Sequence, residues 1–463
     1  MNISAANQPL LFAKSSSSDL KEQIRIFNGQ ILLNPAISRT NFFCYLLFTT
    51  YLGLILLPVG LLQASVLGVV YKLDTDEQAS VTSAVQLIQL VLQLLIAPWI
   101  GLVCDKYGRK ILVCSGLTVL CLTVFLTPNF PSPYPYYIIN QCLQGISCTA
   151  LIIPPLLADY IDKSTHGRMA GLSGVLVNTG AFFMTSLSTA QDTEENLRKK
   201  FFYLAIIASS LALVVMLGLK GGSYHHDLIQ KKKSLPDYTS LNEDSESVTI
   251  QPDVPSKSEA QPGLMAGIQE AKNPWIFTGY VINFLMMSSV GLTSFALVTY
   301  VIFLTEDKAK ANLAYALVSK FQLSATICSA FFGFFSDKLN KFKLIIFTVL
   351  CSITSIILLI LIKSPTEPMA YISMVFFGVA SSGFLTFSNQ LLNRYASPHV
   401  RGSVLAFGGM VALVAGASIN ILGVYLLHWN VRTPFFMYSG YSVIGLIILV
   451  ILYIRKKDIL NQK

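Results

Sequence analysis

A chain of 463 residues that is 53% hydrophobic and only 12% charged falls outside the composition of soluble domains, where about a quarter of residues are charged. Its formal charge of +9 invites a polyanion, but the cations sit in short stretches between apolar runs and form no stripe or basic arm, which excludes a nucleic-acid partner. The mean hydropathy of +0.59 makes the lipid bilayer the natural solvent, and eight scattered cysteines (Cys44, Cys104, Cys114, Cys121, Cys142, Cys148, Cys328, Cys351) lack metal-ligand spacing, so no metal, cofactor or disulfide framework is expected.

Residues 1–41 are polar, include Ser15 to Ser18 and lack the apolar core of a cleavable signal; they read as a flexible tail. A spanning helix needs about 20 apolar residues, because the hydrocarbon core is about 30 Å thick and each residue rises about 1.5 Å. Twelve such runs follow, near 42–66, 80–103, 110–127, 136–159, 169–189, 201–219, 275–304, 312–335, 343–362, 369–393, 402–427 and 434–454. Lipid cannot satisfy an open backbone donor or acceptor, so these runs are helices, and the alternation a barrel needs is absent. The fold class is therefore an all-α polytopic membrane protein with six-helix bundles over 42–219 and 274–454. Between them, 220–273 starts basic at Lys231–Lys233, turns acidic at Glu243–Glu246 and becomes rich in Pro, Ser and Gln, the composition of a disordered linker. Residues 455–463 form a short tail.

With the N-terminus in the cytosol, the tails and loops on that side hold 24 of the 33 Lys and Arg, the opposite side holds eight, and Lys320 falls inside a span. That bias fits the positive-inside rule with both termini and the linker cytosolic.

The halves repeat. Gly101-Leu-Val-Cys-Asp105-Lys-Tyr-Gly108-Arg109-Lys110 follows span two, and Gly333-Phe-Phe-Ser-Asp337-Lys-Leu-Asn-Lys341 follows span eight. His166-Gly-Arg168 opens span five and His399-Val-Arg401 opens span eleven, while Gly145 and Gly378 match in spans four and ten, all at offsets of 232–233. Parallel repeats of this kind place a substrate site near the midplane between the halves.

The stretch Gly101–Lys110 resembles the signature loop of the major facilitator superfamily, Gly-x-x-x-Asp-x-x-Gly-Arg-Lys, and the resemblance extends over 42–454. It implies alternating access by a secondary transporter. It stops short of a subfamily: a sugar porter's Pro-Glu-Ser-Pro-Arg after span six and an antiporter's Gly-Pro-x-x-Gly-Gly in span five are missing, and Gln141 stands where many proton-coupled members have arginine. By this resemblance Asp105 faces the positive N-terminal end of span eleven, a charge–dipole contact of about 0.3–2 kcal/mol that latches the halves. Gly101 permits close helix approach and Gly108 a sharp turn. Arg109 can fork onto a carboxylate at the end of span four, with Asp159 the candidate and Asp162 the reserve. The degenerate copy, with Asp337 and Lys341 but no Gly-Arg, makes a weaker latch.

Ionisable groups inside spans are costly and so mark function. Lys320 is the clear one, to be weighed against snorkelling on its four-carbon stem. Gln86, Gln89 and Gln93 recur on one face of span two, and Asn140, Gln141 and Gln144 in span four, with Asn178, Asn283, Ser388, Asn389 and Gln390 adding to the set. They suggest a pathway lined by neutral donors and acceptors, against the alternative of interhelical hydrogen bonding. No carboxylate or histidine lies deep in a span, so the expectation is facilitated diffusion or exchange of a small polar solute, neutral or an organic anion. The alternatives are a proton-coupled carrier and a non-transporting receptor or scaffold on the same fold. No nucleophile–base set or phosphate loop points to an enzyme. A monomer in the plasma membrane or an endolysosomal or vacuolar membrane is expected; Tyr238-Thr-Ser-Leu241 and Pro9-Leu10-Leu11 loosely resemble sorting signals.

Overall fold

The computed structural model describes residues 24–34, 37–56, 62–63, 65–187, 193–220, 263–305, 312–426 and 430–460. Both sorting-like motifs and most of the 220–273 stretch lie outside them. The first half is built from α1 Arg39–Tyr51, α2 Thr75–Lys106, α3 Lys110–Leu126, α4 Ile138–Ile152, α5 His166–Leu187 and α6 Glu194–Gly218. The second half is built from α7 Pro274–Gly291, α8 Asn312–Phe335, α9 Lys341–Leu361, α10 Pro368–Tyr395, α11 Arg401–Leu426 and α12 Thr433–Arg455. Among the described residues, eight helices are long and apolar enough to cross a bilayer, and Lys110–Leu126 is apolar over a shorter length. The eight cysteines are all free.

Local chemistry sets the helix ends. Asp74 caps α2 through the Glu77 N–H at 2.8 Å, Thr193 caps α6, and Asn340 caps α9 through the Phe342 N–H at 3.0 Å. The first helix of each half loosens into a π-turn, Leu52–Leu56 after α1 and Leu292–Ala296 after α7. At the former, Gly53 leaves room for the α5 backbone at Val177, where a Cβ would lie 2.1 Å from the carbonyl oxygen.

Two expectations need correcting. Span four is not one helix to 159: it stops at Ile152, and a separate short helix, Leu156–Tyr160, carries Asp159. Pro154 and Pro155 cannot donate to the helix ladder, and each disfavours helical geometry in the residue before it. The stretch before span one is not a featureless tail to residue 41, because Arg25–Ile26 and Ile31–Leu32 pair as a hairpin, β1 and β2, and α1 already begins at Arg39. Leu33 bridges to Ile161, Asn34 donates to the carbonyls of Ala158 and Asp159 at 3.1 and 2.8 Å, and Ile31 and Leu33 are buried.

This hairpin, the α4–α5 connection, the helix Leu264–Glu270 and the C-terminal turn Lys457–Leu460 gather at one end of the molecule, the terminal face. Each half has its own core. Contacts between halves run chiefly along α2 against α11 and α5 against α8.

Candidate functional site

Asp105 stands one residue before the end of α2, 2% exposed. Its Oδ1 accepts from the Gly402 N–H at 2.8 Å, and its Oδ2 accepts from the Ser403 N–H at 2.9 Å and the Ser403 hydroxyl at 2.8 Å. Those N–H groups belong to the first turn of α11, where a helix has no internal acceptors for them. The carboxylate thus caps the positive end of a helix in the other half. The approach depends on glycine: a Cβ on Gly402 would fall 2.6 Å from Asp105 Oδ1, and one on Gly101 would fall 2.6 Å from the Ala406 Cβ.

Beyond the latch the chain turns at Gly108, whose φ of +100° only glycine adopts without strain. The turn delivers Arg109, 3% exposed, to Asp159 with Nη1 2.8 Å from Oδ2. Asp162, the reserve partner, is occupied elsewhere, accepting from the Ser164 N–H at 2.9 Å. Buried Arg401 lies within the electrostatic reach of Asp159, Arg109 and Asp105. Lys110, exposed at the start of α3, makes no part of this cluster.

The second copy is assembled differently. Asp337 accepts from the Arg168 N–H at 3.3 Å and the Gln390 amide at 3.1 Å, and the guanidinium groups of Arg168 and Arg394 each stand 3.9 Å away. Nearby Lys341 is buried. Burial raises the Asp337 carboxyl above its ordinary pKa, although Lys341, Arg394 and Arg168 pull the other way. Here the halves touch glycine to glycine: a Cβ on Gly171 of α5 would lie 2.3 Å from the Gly333 Cα of α8.

The polar residues deeper in the spans divide. Gln89 donates to the Gln141 carbonyl and Gln93 to the Gly145 carbonyl at 2.7 Å, tying α2 to α4. Asn140 donates to the Thr123 carbonyl and the Thr127 hydroxyl at 3.0 and 3.1 Å, and Asn283 to the Gly408 carbonyl at 2.9 Å. These amides bind helices within one half, each bond being worth about 0.6–2 kcal/mol. Asn178 is different: its amide reaches the Ser329 hydroxyl at 3.2 Å, from α5 to α8 and so between halves. Gln86 and Asn389 are half-buried, and Gln141 and Gln144 are buried.

Lys320 has to be withdrawn from the pathway set. It is exposed on α8 and shares its face with Leu323, Ile327, Phe331 and Phe334, all exposed. The repeat partner of that face on α2 is Ile88, Val91, Leu95 and Trp99, also exposed. Apolar stripes of this kind suit hydrocarbon, and a lysine among them reaches the headgroups along its stem. A groove of about 460 Å³ lined by Cys121, Phe125, Phe202 and Ser209 also opens outward, between α3 and α6, away from the seam between halves.

The family model described as Major Facilitator Superfamily matches this chain over residues 40–419 and 283–463. The chain belongs to the major facilitator superfamily. Its class is therefore membrane transporter, with the twelve-helix fold of that superfamily. It is similar to the quinolone resistance protein NorA of Staphylococcus aureus, 22% identical over 369 residues that cover 78% of this chain and 84% of that protein. It is 25% identical to the lysosomal dipeptide transporter MFSD1 of Bos taurus over 171 residues, 35% of each protein. Among solved structures, the human organic anion transporter MFSD10 superposes with a TM-score of 0.61 at 14% identity, over 89% of this chain and 100% of that one.

Several partners in this superfamily member were not singled out by its sequence. Gly402 and Ser403 follow Arg401 directly, so a scan for a capping glycine and hydroxyl behind the repeated His-x-Arg would have found them. Gln390 was visible only as one polar residue among several in span ten, and Arg394, one turn on at i+4, was not tied to it. The Gly171–Gly333 contact pairs the repeat glycine of α8 with a glycine that no motif marks.

Proposed function

We propose that this transporter carries a small polar solute by alternating access, through facilitated diffusion or exchange, and that the state described is the one closed on the terminal face. The observation that carries this reading is the Asp105 carboxylate, which holds both the Gly402 and Ser403 N–H groups of the opposite half. Further contacts between halves, among them Gly171 with Gly333, Arg168 with Asp337 and Gly409 with Ile153, lie toward the same end of their helices. Opening that end means breaking the Asp105 set and the weaker Arg168–Asp337 contact, and parting surfaces that approach closely at glycines. The cation bias puts the terminal face in the cytosol, which makes this state outward-facing.

With Lys320 on the hydrocarbon side, the case for an anion weakens and a neutral or zwitterionic solute is favoured. The similarity to a lysosomal dipeptide transporter adds small peptides to the solutes to test and keeps the lysosomal membrane beside the plasma membrane. A polar-solute library screened by thermal shift of the purified protein, followed by counterflow into proteoliposomes, tests the reading. A stabilising solute that shows counterflow supports it, and a stabilising solute that never crosses favours a receptor.

One observation favours a second reading. Asp337 is a buried carboxyl with a raised pKa, contacted from both halves, and such a group can exchange a proton as the halves part. An imposed pH gradient with no solute gradient separates the two: uphill accumulation that vanishes in Asp337→Asn establishes proton coupling, and none in the native protein supports the uncoupled carrier.

A further inference from the structure

The hydroxyl of Ser403 serves two partners. It donates to Asp105 Oδ2 at 2.8 Å and accepts from the Gly263 N–H at 2.9 Å. A hydroxyl has one proton and two lone pairs, so both bonds form at once, and in a site where Ser403 is 2% exposed each strengthens the other. Gly263 is the first described residue after the central stretch and has φ of +146°, a conformation that L side chains resist. It opens the helix Leu264–Glu270, which lies on α11. That helix is fixed at three further points. A Cβ on Gly267 would fall 2.7 Å from the Phe407 Cβ, the Tyr280 hydroxyl donates to the Gly267 carbonyl at 2.9 Å, and the Ser397 hydroxyl donates to Glu270.

We propose that Ser403 is a positioning residue that joins the central connection to the Asp105 latch, so that the placement of Gly263–Glu270 sets how firmly the terminal face closes. The inference rests on the latch reading given above. The path is one bonded chain, Gly263 N–H to Ser403 hydroxyl to Asp105 carboxylate, and it links the segment joining the halves to the contact holding them. Movement of Gly263 leaves the hydroxyl free to rotate away from Asp105. The carboxylate then keeps only its backbone donors. A signal acting on the connection, such as a bound partner or an added charge, reaches the gate without touching the solute path.

Cys104 is the reporter. It is fully buried, and its Cβ lies 2.9 Å from where a Gly402 Cβ would be, so it is covered while α2 and α11 are latched. The experiment measures the N-ethylmaleimide labelling rate of Cys104 by peptide mass spectrometry in the full-length protein in nanodiscs. Asp105→Asn should label several-fold faster than native protein, as should Ser403→Ala, and Ser403→Thr should return the rate toward native. The discriminating variant is Gly263→Ala. Its Cβ would meet nothing within 4 Å, so it changes only the backbone conformation and leaves every latch side chain in place. It should label as fast as Ser403→Ala, and the double variant no faster than either, as expected for one shared path. Native-rate labelling in Gly263→Ala beside fast labelling in Asp105→Asn overturns the inference while sparing the latch. Native-rate labelling in Asp105→Asn overturns the latch itself. If Ser403→Ala fails to fold, Gly263→Ala still decides.

Discussion

Asp105 and Asp337 stand 232 positions apart at matching ends of α2 and α8, yet they hold the opposite half with different grips. Asp105 takes two backbone N–H groups and a hydroxyl at 2.8–2.9 Å, whereas Asp337 takes one backbone N–H at 3.3 Å and a side-chain amide from its own half at 3.1 Å. Charge-assisted bonds of the first kind contribute about 1.5–3 kcal/mol each. The second set is longer, and its two guanidinium partners at 3.9 Å are in part solvated.

Asp105→Asn should therefore slow solute movement by about tenfold or more, equivalent to roughly 1.4 kcal/mol or more of lost latch, while Asp337→Asn slows it less. Initial uptake rates normalised to protein abundance would check this. Equal losses would show that the two loops share the load.

Gly402→Ala tests the close approach separately from the charge. The added methyl would sit 2.6 Å from Asp105 Oδ1 and 2.8 Å from the Gly101 carbonyl oxygen, an overpacking that costs about 1–3 kcal/mol. The seam between halves gives way before either core does, so the variant should fold, keep a melting temperature near native and lose transport. Gly409→Ala, whose Cβ would meet Ile153 at an ordinary 3.5 Å, should stay near native in both. A Gly402→Ala protein with native transport would remove glycine from the account of the latch.

Asp337 predicts a pH dependence. Its folded-state pKa lies above the unfolded value because burial penalises the charged form. The folded protein then binds the proton more tightly than the unfolded chain, so this group favours folding at acid pH. That contribution is lost as pH rises through the carboxyl range, starting near the ordinary value of about 4. The melting temperature of the native protein minus that of Asp337→Asn should fall between pH 4 and 7. A rising difference would mean that the surrounding cations outweigh burial.

The orientation follows from cation placement alone. In intact cells, a cysteine introduced at Lys456 should be shielded from an impermeant thiol reagent and one at Glu194 should react. The reverse pattern would invert the topology and turn the described state inward-facing.

Much of this was readable in the sequence, for physical reasons that also explain what was not. Apolar runs of spanning length and the repeated Gly-x-x-x-Asp rest on composition and spacing, which the chain displays directly, and the Arg109–Asp159 pairing rests on what the family resemblance implies. The hairpin at Arg25–Leu32 does not: its strands are two residues each, and the left-handed turn at Phe27, Asn28 and Gly29 leaves no periodic pattern. Periodicity put Gln89, Gln93 and Asn140 on helix faces, but could not tell whether a face met a neighbouring helix or a pathway. They met helices, because a backbone carbonyl lay within reach. Lys320 misled for a related reason: a single charge in an apolar run shows its depth, while only the exposed Leu323, Ile327 and Phe331 beside it show which side is lipid.

The central claim is that the Asp105 grip on Gly402 and Ser403 holds the terminal face closed between two interconverting states. Spin labels at Tyr107 and Lys456, both exposed on that face and one in each half, allow pulsed electron–electron resonance to measure the distance between halves in nanodiscs. The account predicts a dominant short distance in the native protein and a shift of population to a longer one in Asp105→Asn. An identical distribution in the two proteins would contradict it.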